Sequence, residues 1–136
     1  MLYASAVASA LSGAPSTAYA MATTRSRTAT TDYVRDATTR IGVLMPPFRP
    51  GFARGAAAHV VISALAGEAL GRALPRRHSV GWGAVAGLLM GVVNVGVIGR
   101  RIPAIAELPL APQLADNVAF GMIFALVADH SRSHRI

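Results

Sequence analysis

Seven of the polar side chains inside the apolar stretches of this 136-residue chain are candidates to carry chemistry. They are His59, Ser63, Glu68, Arg72, Asn94, Asp116 and Asn117. Polar and ionisable groups in such surroundings are costly, and they usually face a partner, a cavity or a pathway for a substrate or a proton. These residues are therefore the candidates for function.

Two pairs in the second apolar stretch have the i, i+4 spacing that brings side chains together on one helix face. Glu68 and Arg72 form the first pair, and we expect a structural ion pair near a membrane edge, with a proton or substrate relay as the alternative. His59 and Ser63 form the second pair. They could line a polar path, or His59 could lie at the water interface close to Arg54.

The remaining candidates lie in the third and fourth apolar stretches. Asn94 interrupts the most apolar part of the chain, and a hydrogen bond to another helix is its expected role. Asp116 and Asn117 are its candidate partners. Both also fall in the first turn of the fourth predicted helix, where they could instead cap free backbone N–H groups.

The sequence lacks the motifs of common catalytic and metal sites. Without cysteine, no disulfide, thiolate zinc site or iron–sulfur cluster can form. Nucleophile-elbow, zinc-protease and phosphate-loop motifs are absent. The histidines are scattered along the chain, at His59, His78, His130 and His134. We therefore predict no enzymatic activity, no metal site and no cofactor.

The composition is typical of a membrane protein rather than of a charged soluble domain. Apolar residues make up 53% of the chain and charged residues 14%, whereas soluble domains average about a quarter charged. The net charge of +7 comes from arginines that lie beside the apolar stretches and form no basic patch rich in aromatic residues. This pattern argues against nucleic acid as a partner and favours the lipid bilayer with its anionic headgroups.

The apolar stretches predict helices, because no period-two alternation competes and only helices or closed barrels can cross a bilayer. The expected fold is all-α: a single membrane domain, residues 1–136, formed by an integral membrane bundle of four transmembrane helices. Three helices remain if the first stretch is a cleaved signal peptide or precedes a true start at Met21. The predicted segments are helix 1 at about 2–22, an Arg-rich polar connection at 23–54, helix 2 at about 55–74, helix 3 at about 79–99, an interfacial segment at 102–112 and helix 4 at about 113–129. The middle of the polar connection, residues 31–44, could form a short surface helix.

Small residues recur at intervals of four, and such rows let helix backbones approach each other closely. The glycine rows are Gly67 and Gly71 in helix 2, and Gly83, Gly87 and Gly91 in helix 3. Helix 1 carries an alanine row at Ala6, Ala10, Ala14, Ala18 and Ala22, and Gly13-Ala14-Pro15 should kink this helix. We expect the glycine rows to pack helices within one chain, with a homo-oligomer contact as the alternative.

The distribution of arginine predicts the orientation of the bundle. Eight of the 13 arginines lie in the connection 23–54 and at positions 100–101, and five lie on the opposite side. Because positively charged loops stay in the cytoplasm, both termini are expected outside. The predicted location is the inner membrane, crossed several times.

Several short motifs are spread over most of the chain: the small-residue segment 12–17, Pro46-Pro47, Ala58-His59 followed by Gly67 and Gly71, and Phe120-Gly121. With these motifs the chain resembles small bacterial inner-membrane proteins of uncharacterised function. The resemblance implies a four-helix fold and implies no activity. The chain departs from that pattern at Asp116-Asn117, where a histidine would be expected.

Two functions of different classes fit these features. The favoured one is a structural, accessory or complex-forming membrane protein, because the chain is short, carries glycine rows and lacks catalytic motifs. The alternative is a small oligomeric transporter or channel subunit, in which the polar candidates line a path through helices 2–4. A structural or accessory protein of this kind would act together with a second copy of itself or within a larger membrane complex.

Overall fold

The computed structural model describes residues 1–24 and 26–134, and the regular elements in these ranges are all helical, which confirms the predicted all-α class. In chain order they are α1 (Leu2–Leu11), α2 (Ala14–Thr24), α3 (Arg27–Ile41), a 3-10 turn (Gly42–Leu44), α4 (Phe52–Ala73), α5 (Ser79–Val93) with a π-helical continuation (Asn94–Gly99), α6 (Pro103–Ala106) and α7 (Leu110–Ser133). Two helices are long and apolar enough to cross a membrane, namely α5 with its continuation and α7.

The first apolar stretch is not the single helix predicted at 2–22. It divides into α1 and α2 at Ser12 and Gly13. Pro15 accounts for the break, because its nitrogen cannot donate to the carbonyl of Leu11 and its ring would clash with that carbonyl in a continuous helix. Pro15 is tolerated in the first turn of α2, where backbone N–H groups have no helical partner.

The polar connection contains a longer helix than the one expected at 31–44. The Ser26 hydroxyl caps α3 by accepting a hydrogen bond from the N–H of Ala29 at 3.3 Å. The helix therefore starts before Thr31. α3 packs on the start of α4, where its Thr38 carbonyl lies against Gly55 so closely that a methyl group would not fit there.

The other helices occupy nearly the predicted segments. α4 begins three residues early, at Phe52, and ends before Pro75, because the residue that precedes a proline favours an extended backbone. α7 begins at Leu110 rather than at 113, with Pro112 in its first turn. The segment predicted to be interfacial forms the short helix α6.

The core lies where α1 is placed between α4 and α7. Its buried residues are Ala4, Ala8, Leu70, Phe120, Phe124 and Ala128. α1 runs antiparallel to α4, since Met1 lies against Gly71 and Ser9 lies beside His59. The small side chains of α1 let it approach both neighbours closely.

α5 packs along its length on the opposite side of α7, and glycines make this contact close. A methyl group built on Gly121 would overlap the carbonyl oxygen of Gly83, and one built on Gly83 would overlap that of Gly121. Gly87 lies in the same way against the backbone of Asn117. α5 packs mainly on α7, α4 packs mainly on α1 and α3, and a cleft remains open between α4 and α5.

Candidate functional site

The cleft between α4 and α5 has a volume of about 390 Å³. The polar residues that line it are Ser12 between α1 and α2, His59 and Ser63 from α4, Asn94 from the π-helical continuation of α5, and Gln113, Asp116 and Asn117 from α7. Apolar residues form the rest of its walls, among them Ile62, Met90 and Phe120. A polar floor between apolar walls is the usual design of a small-molecule site, and such sites measure about 300–1,000 Å³.

The structure brings five of the seven candidate residues to this cleft: His59, Ser63, Asn94, Asp116 and Asn117. Glu68 and Arg72 lie elsewhere, on an exposed face of α4. They form the expected ion pair, with Arg72 Nη2 2.7 Å from Glu68 Oε1. With 76% of the Arg72 side chain and 46% of the Glu68 side chain exposed, this pair is outside the cleft.

Asp116 is held by the N-terminal part of the chain. The backbone N–H of Ser16 donates to Asp116 Oδ1 at 2.9 Å, and the Ser16 hydroxyl donates to Oδ2. Because α7 starts at Leu110, Asp116 lies beyond its first turn. The capping role considered for Asp116 and Asn117 is therefore wrong, since their own helix already bonds the N–H groups they would have capped.

Asn94 hydrogen-bonds across the helix interface to Asn117, one of its two expected partners. Asn94 Nδ2 donates to Asn117 Oδ1 at 3.2 Å, and Asn117 Nδ2 donates to the carbonyl of Gln113 at 2.9 Å. Asn94 also begins the π-helical segment. Insertions of this kind in a helix often mark functional sites.

His59 shares a hydrogen bond with Ser9 of α1, with 3.0 Å between His59 Nδ1 and Ser9 Oγ. Ser63 is buried one turn further along α4. The helix spacing thus places both residues on the side of α4 that faces the cleft. His59 also contacts α1 through Ser9.

The partners of these residues come from a serine row that the sequence interpretation missed. Ser5, Ser9, Ser12 and Ser16 recur at helical spacing, and this periodicity in the first stretch was the available signal. Ser5 lies against Gly67, Ser9 bonds His59, Ser12 lines the cleft and Ser16 bonds Asp116. Gln113 was missed as well, because it stood at the predicted start of its helix.

The glycine rows lie against helices of the same chain. Gly83, Gly87 and Gly91 of α5 face α7, while Gly67 and Gly71 of α4 face Ser5 and Met1 at the α1 surface. The alanine row of the first stretch does not pack in this way. Ala6, Ala10, Ala14, Ala18 and Ala22 are exposed, and the buried small residues of this stretch are Ala4, Ser5, Ala8, Ser12 and Ala20.

One end of the cleft is closed by α3 and α6, which contribute Ile41 and Ile105. Arg40 holds these two helices together. Its Nη1 donates to the carbonyl of Ala104 at 2.8 Å and to Glu107 Oε2 at 2.7 Å, and its Nε donates to Asp36. The bond to Glu107, followed by the bond to Asp36, raises the pKa of Arg40 above its usual value.

Replacement of Arg40 with alanine is expected to loosen α6 at the closed end of the cleft. Losing a partly exposed ion-pair network costs about 0.5–1 kcal/mol, which corresponds to roughly two- to fivefold faster amide exchange in residues 103–108. Hydrogen–deuterium exchange by mass spectrometry measures this. Arg27→Ala is the matched control, since Arg27 belongs to the same helix and forms no ion pair with any described residue. Equal exchange in both variants would show that Arg40 does not hold α6.

Tyr33 of α3 lies near the Asp116 end of the cleft, with its ring centroid 6.3 Å from that of Tyr19. Burial raises the pKa of the Tyr33 phenol, and the negative charge of Asp116 raises it further. Tyr33 is therefore a neutral phenol throughout the physiological pH range.

The chain matches no family model, no curated protein and no solved structure. Chemically, the cleft offers amide and carboxylate groups, a histidine and apolar walls. No group of three or more histidine, aspartate or glutamate side chains suited to a metal ion occurs within residues 1–24 and 26–134. What the arrangement can do is hold a small molecule that is partly polar and partly apolar.

Proposed function

We propose that this chain is a multi-pass integral membrane protein that binds a small amphipathic molecule in the cleft between α4 and α5. The observation that carries membrane insertion is the set of large apolar side chains on the outer faces of the long helices. Leu65 is 67% exposed, Leu89 62% and Leu126 57%. Water would disfavour so large an apolar surface, whereas lipid chains solvate it.

Four passes accommodate the helices. α5 with its π-helical continuation and α7 meet the length and hydropathy requirements of a span. α4 has 22 residues, which at about 1.5 Å per residue reach across a hydrocarbon core of about 30 Å. α1 and α2 together make a broken fourth pass, antiparallel to α4. This is the arrangement that the resemblance to small inner-membrane proteins implies.

Charged residues support the same placement. Arg76 and Arg77 lie in the turn between α4 and α5, and Arg100 and Arg101 follow the other end of α5. Arginines at both ends of apolar helices are typical of membrane spans. The side of the membrane with more arginines, which includes α3, is placed in the cytoplasm. On this side α3 would lie along the lipid headgroups of the inner membrane.

The cleft supports the transporter or channel-subunit class more than the sequence alone did. Its polar residues lie in the part of the proposed bundle nearer to α3 and α6, and the gap between α4 and α5 would open sideways toward lipid. A molecule dissolved in the bilayer could enter without crossing the headgroups. The glycine rows, which favoured a complex-forming protein, are covered by the chain's own helices.

The structural or accessory role is the second candidate, and an apolar groove that continues outward from the cleft favours it. Ile62, Leu65, Leu89 and Val93 line a shallow apolar surface where α4 and α5 diverge. An apolar helix of a membrane complex, or of a second copy, could lie along it. Crosslinking through Leu65→Cys would detect such a neighbour.

Cysteine labelling tests membrane insertion directly, because the natural chain has no cysteine. We expect Leu89→Cys and Leu126→Cys to resist a membrane-impermeant maleimide in native membranes, because lipid covers both sites. Arg77→Cys and Phe48→Cys should react, each from the opposite side of the membrane. Matching samples in denaturing detergent provide the control for reactivity. Labelling of Leu89→Cys at the rate of Arg77→Cys would contradict a membrane location.

A further inference from the structure

Backbone carbonyls set the orientation of the amide side chains that line the cleft. Gln113 Nε2 lies 3.1 Å from the carbonyl of Pro109, and Asn117 Nδ2 lies 2.9 Å from the carbonyl of Gln113. A carbonyl can only accept, so each amide must turn its nitrogen toward it. Asn117 then presents its oxygen to Asn94, which must donate through its own nitrogen.

With their nitrogens oriented in this way, two of the amide side chains have oxygen atoms without a hydrogen-bond donor among the described residues. The side-chain oxygens of Asn94 and Gln113 accept no hydrogen bond from any residue in 1–24 or 26–134. Neither oxygen is sealed inside the protein, because every fully buried polar side-chain atom of the described residues has a partner. A ligand that donates hydrogen bonds would satisfy both oxygens.

Asp116 adds a negative charge to these acceptors, and no cation of the described residues pairs with it. Asp129 on the same helix provides the comparison. Its carboxylate also accepts from a serine, Ser79, but it has Arg132 at 3.7 Å as a counter-ion. Among the arginines that the structure describes, none lines the cleft. An unpaired carboxylate in a bilayer is costly, and a bound cation would offset that cost.

We propose that the cleft binds protonated amines that carry an apolar group, with Asp116 as counter-ion and Asn94 and Gln113 as hydrogen-bond acceptors. Ile62, Met90 and Phe120 would surround the apolar part. The proposal rests on the proposed function, since the low dielectric of a membrane makes the unpaired carboxylate selective for cations. Charge-assisted hydrogen bonds are roughly twice as strong as neutral ones, which favours an ammonium over an alcohol of the same shape.

Equilibrium binding to the full chain in nanodiscs of zwitterionic lipid tests this class of ligand. Three probes of similar size are compared: 2-phenylethylammonium as the cation, 2-phenylethanol as the neutral molecule and phenylacetate as the anion. Empty nanodiscs measure partitioning into lipid, which is subtracted. We expect the cation to bind about tenfold more tightly than the alcohol and the anion not to bind.

Two substitutions separate the charge of Asp116 from the fold. Asp116→Asn should weaken binding of the cation about tenfold and leave binding of the alcohol unchanged. Asp129→Asn is the matched control, because it removes a serine-bonded carboxylate from the same helix outside the cleft, and it should leave both affinities unchanged. If Asp116→Asn does not fold, Ala66→Leu, which fills the cleft from α4, should abolish binding of the cation and of the alcohol alike.

The other possible results of these binding measurements would contradict either the selectivity for amines, the location of the site or the proposed function. Equal affinity for the cation and the alcohol, or full binding of the cation by Asp116→Asn, would overturn the selectivity for amines while leaving a binding cleft. Binding of the cation that survives Ala66→Leu would place it outside the cleft. If none of the three probes binds, the proposed function itself fails, irrespective of the ligand class.

Discussion

Replacement of Gly121 with alanine is expected to destabilise the bundle by about 1–3 kcal/mol, because the added methyl group would overlap the carbonyl oxygen of Gly83. The overlapped atom belongs to the backbone of α5, so no side-chain rotation can relieve it. α5 and α7 must move apart, which also weakens the contacts of Gly87. Unfolding in mixed micelles with increasing denaturing detergent, followed by circular dichroism, measures the loss.

Gly81→Ala provides the control in the same helix pair. Gly81 lies in α5, and no atom of residues 1–24 or 26–134 outside its own helix lies within 4 Å of the position that a methyl group would take. Alanine favours helix over glycine by about 1 kcal/mol, so this variant should be as stable as the natural protein or slightly more stable. Equal stability of the Gly121→Ala and Gly81→Ala variants would mean that α5 and α7 do not approach as described.

Removal of residues 1–20 is expected to abolish cooperative unfolding or to lower stability by about 3 kcal/mol or more, as when a large core cavity forms. Ala8 and Phe124 are 0% and 1% exposed because α1 lies between α4 and α7. The truncation would uncover Phe124 and would leave His59 and Asp116 without their serine partners. The same unfolding assay applies, with limited proteolysis as a second measurement.

A matched pair of substitutions tests whether the close packing of α1 against α4 and α7 contributes to stability. Ala8→Leu places a larger side chain in the core and should cost about 1–3 kcal/mol. Ala6→Leu makes the same change on the exposed face of α1 and should leave stability unchanged. An unaltered unfolding midpoint in the truncated protein would instead support a removable leader, as the signal-peptide interpretation holds.

The candidate site was only half predictable. Polar residues in apolar stretches are visible in any sequence, and five of them line the cleft. Their grouping depends on how α4, α5 and α7 are arranged around the cleft. No local pattern reports such a three-helix arrangement. Glu68 and Arg72 show the limit, because the same i, i+4 spacing placed one pair at the cleft and the other on an exposed face.

The sequence by itself determined the approximate ends of α4, α5 with its continuation, and α7, because prolines and apolar length act within a few neighbouring residues. The exposed apolar surface and the flanking arginines are likewise properties of composition. Only the tertiary structure decided which face of the first stretch is buried. Its alanines and serines make all faces nearly equal in hydrophobicity, so the choice of Ala4, Ala8 and Ser12 over the alanine row came from the shape of α4 and α7. The same packing brought Ser16 to Asp116, 100 residues away in the chain, and left the carboxylate facing a cleft.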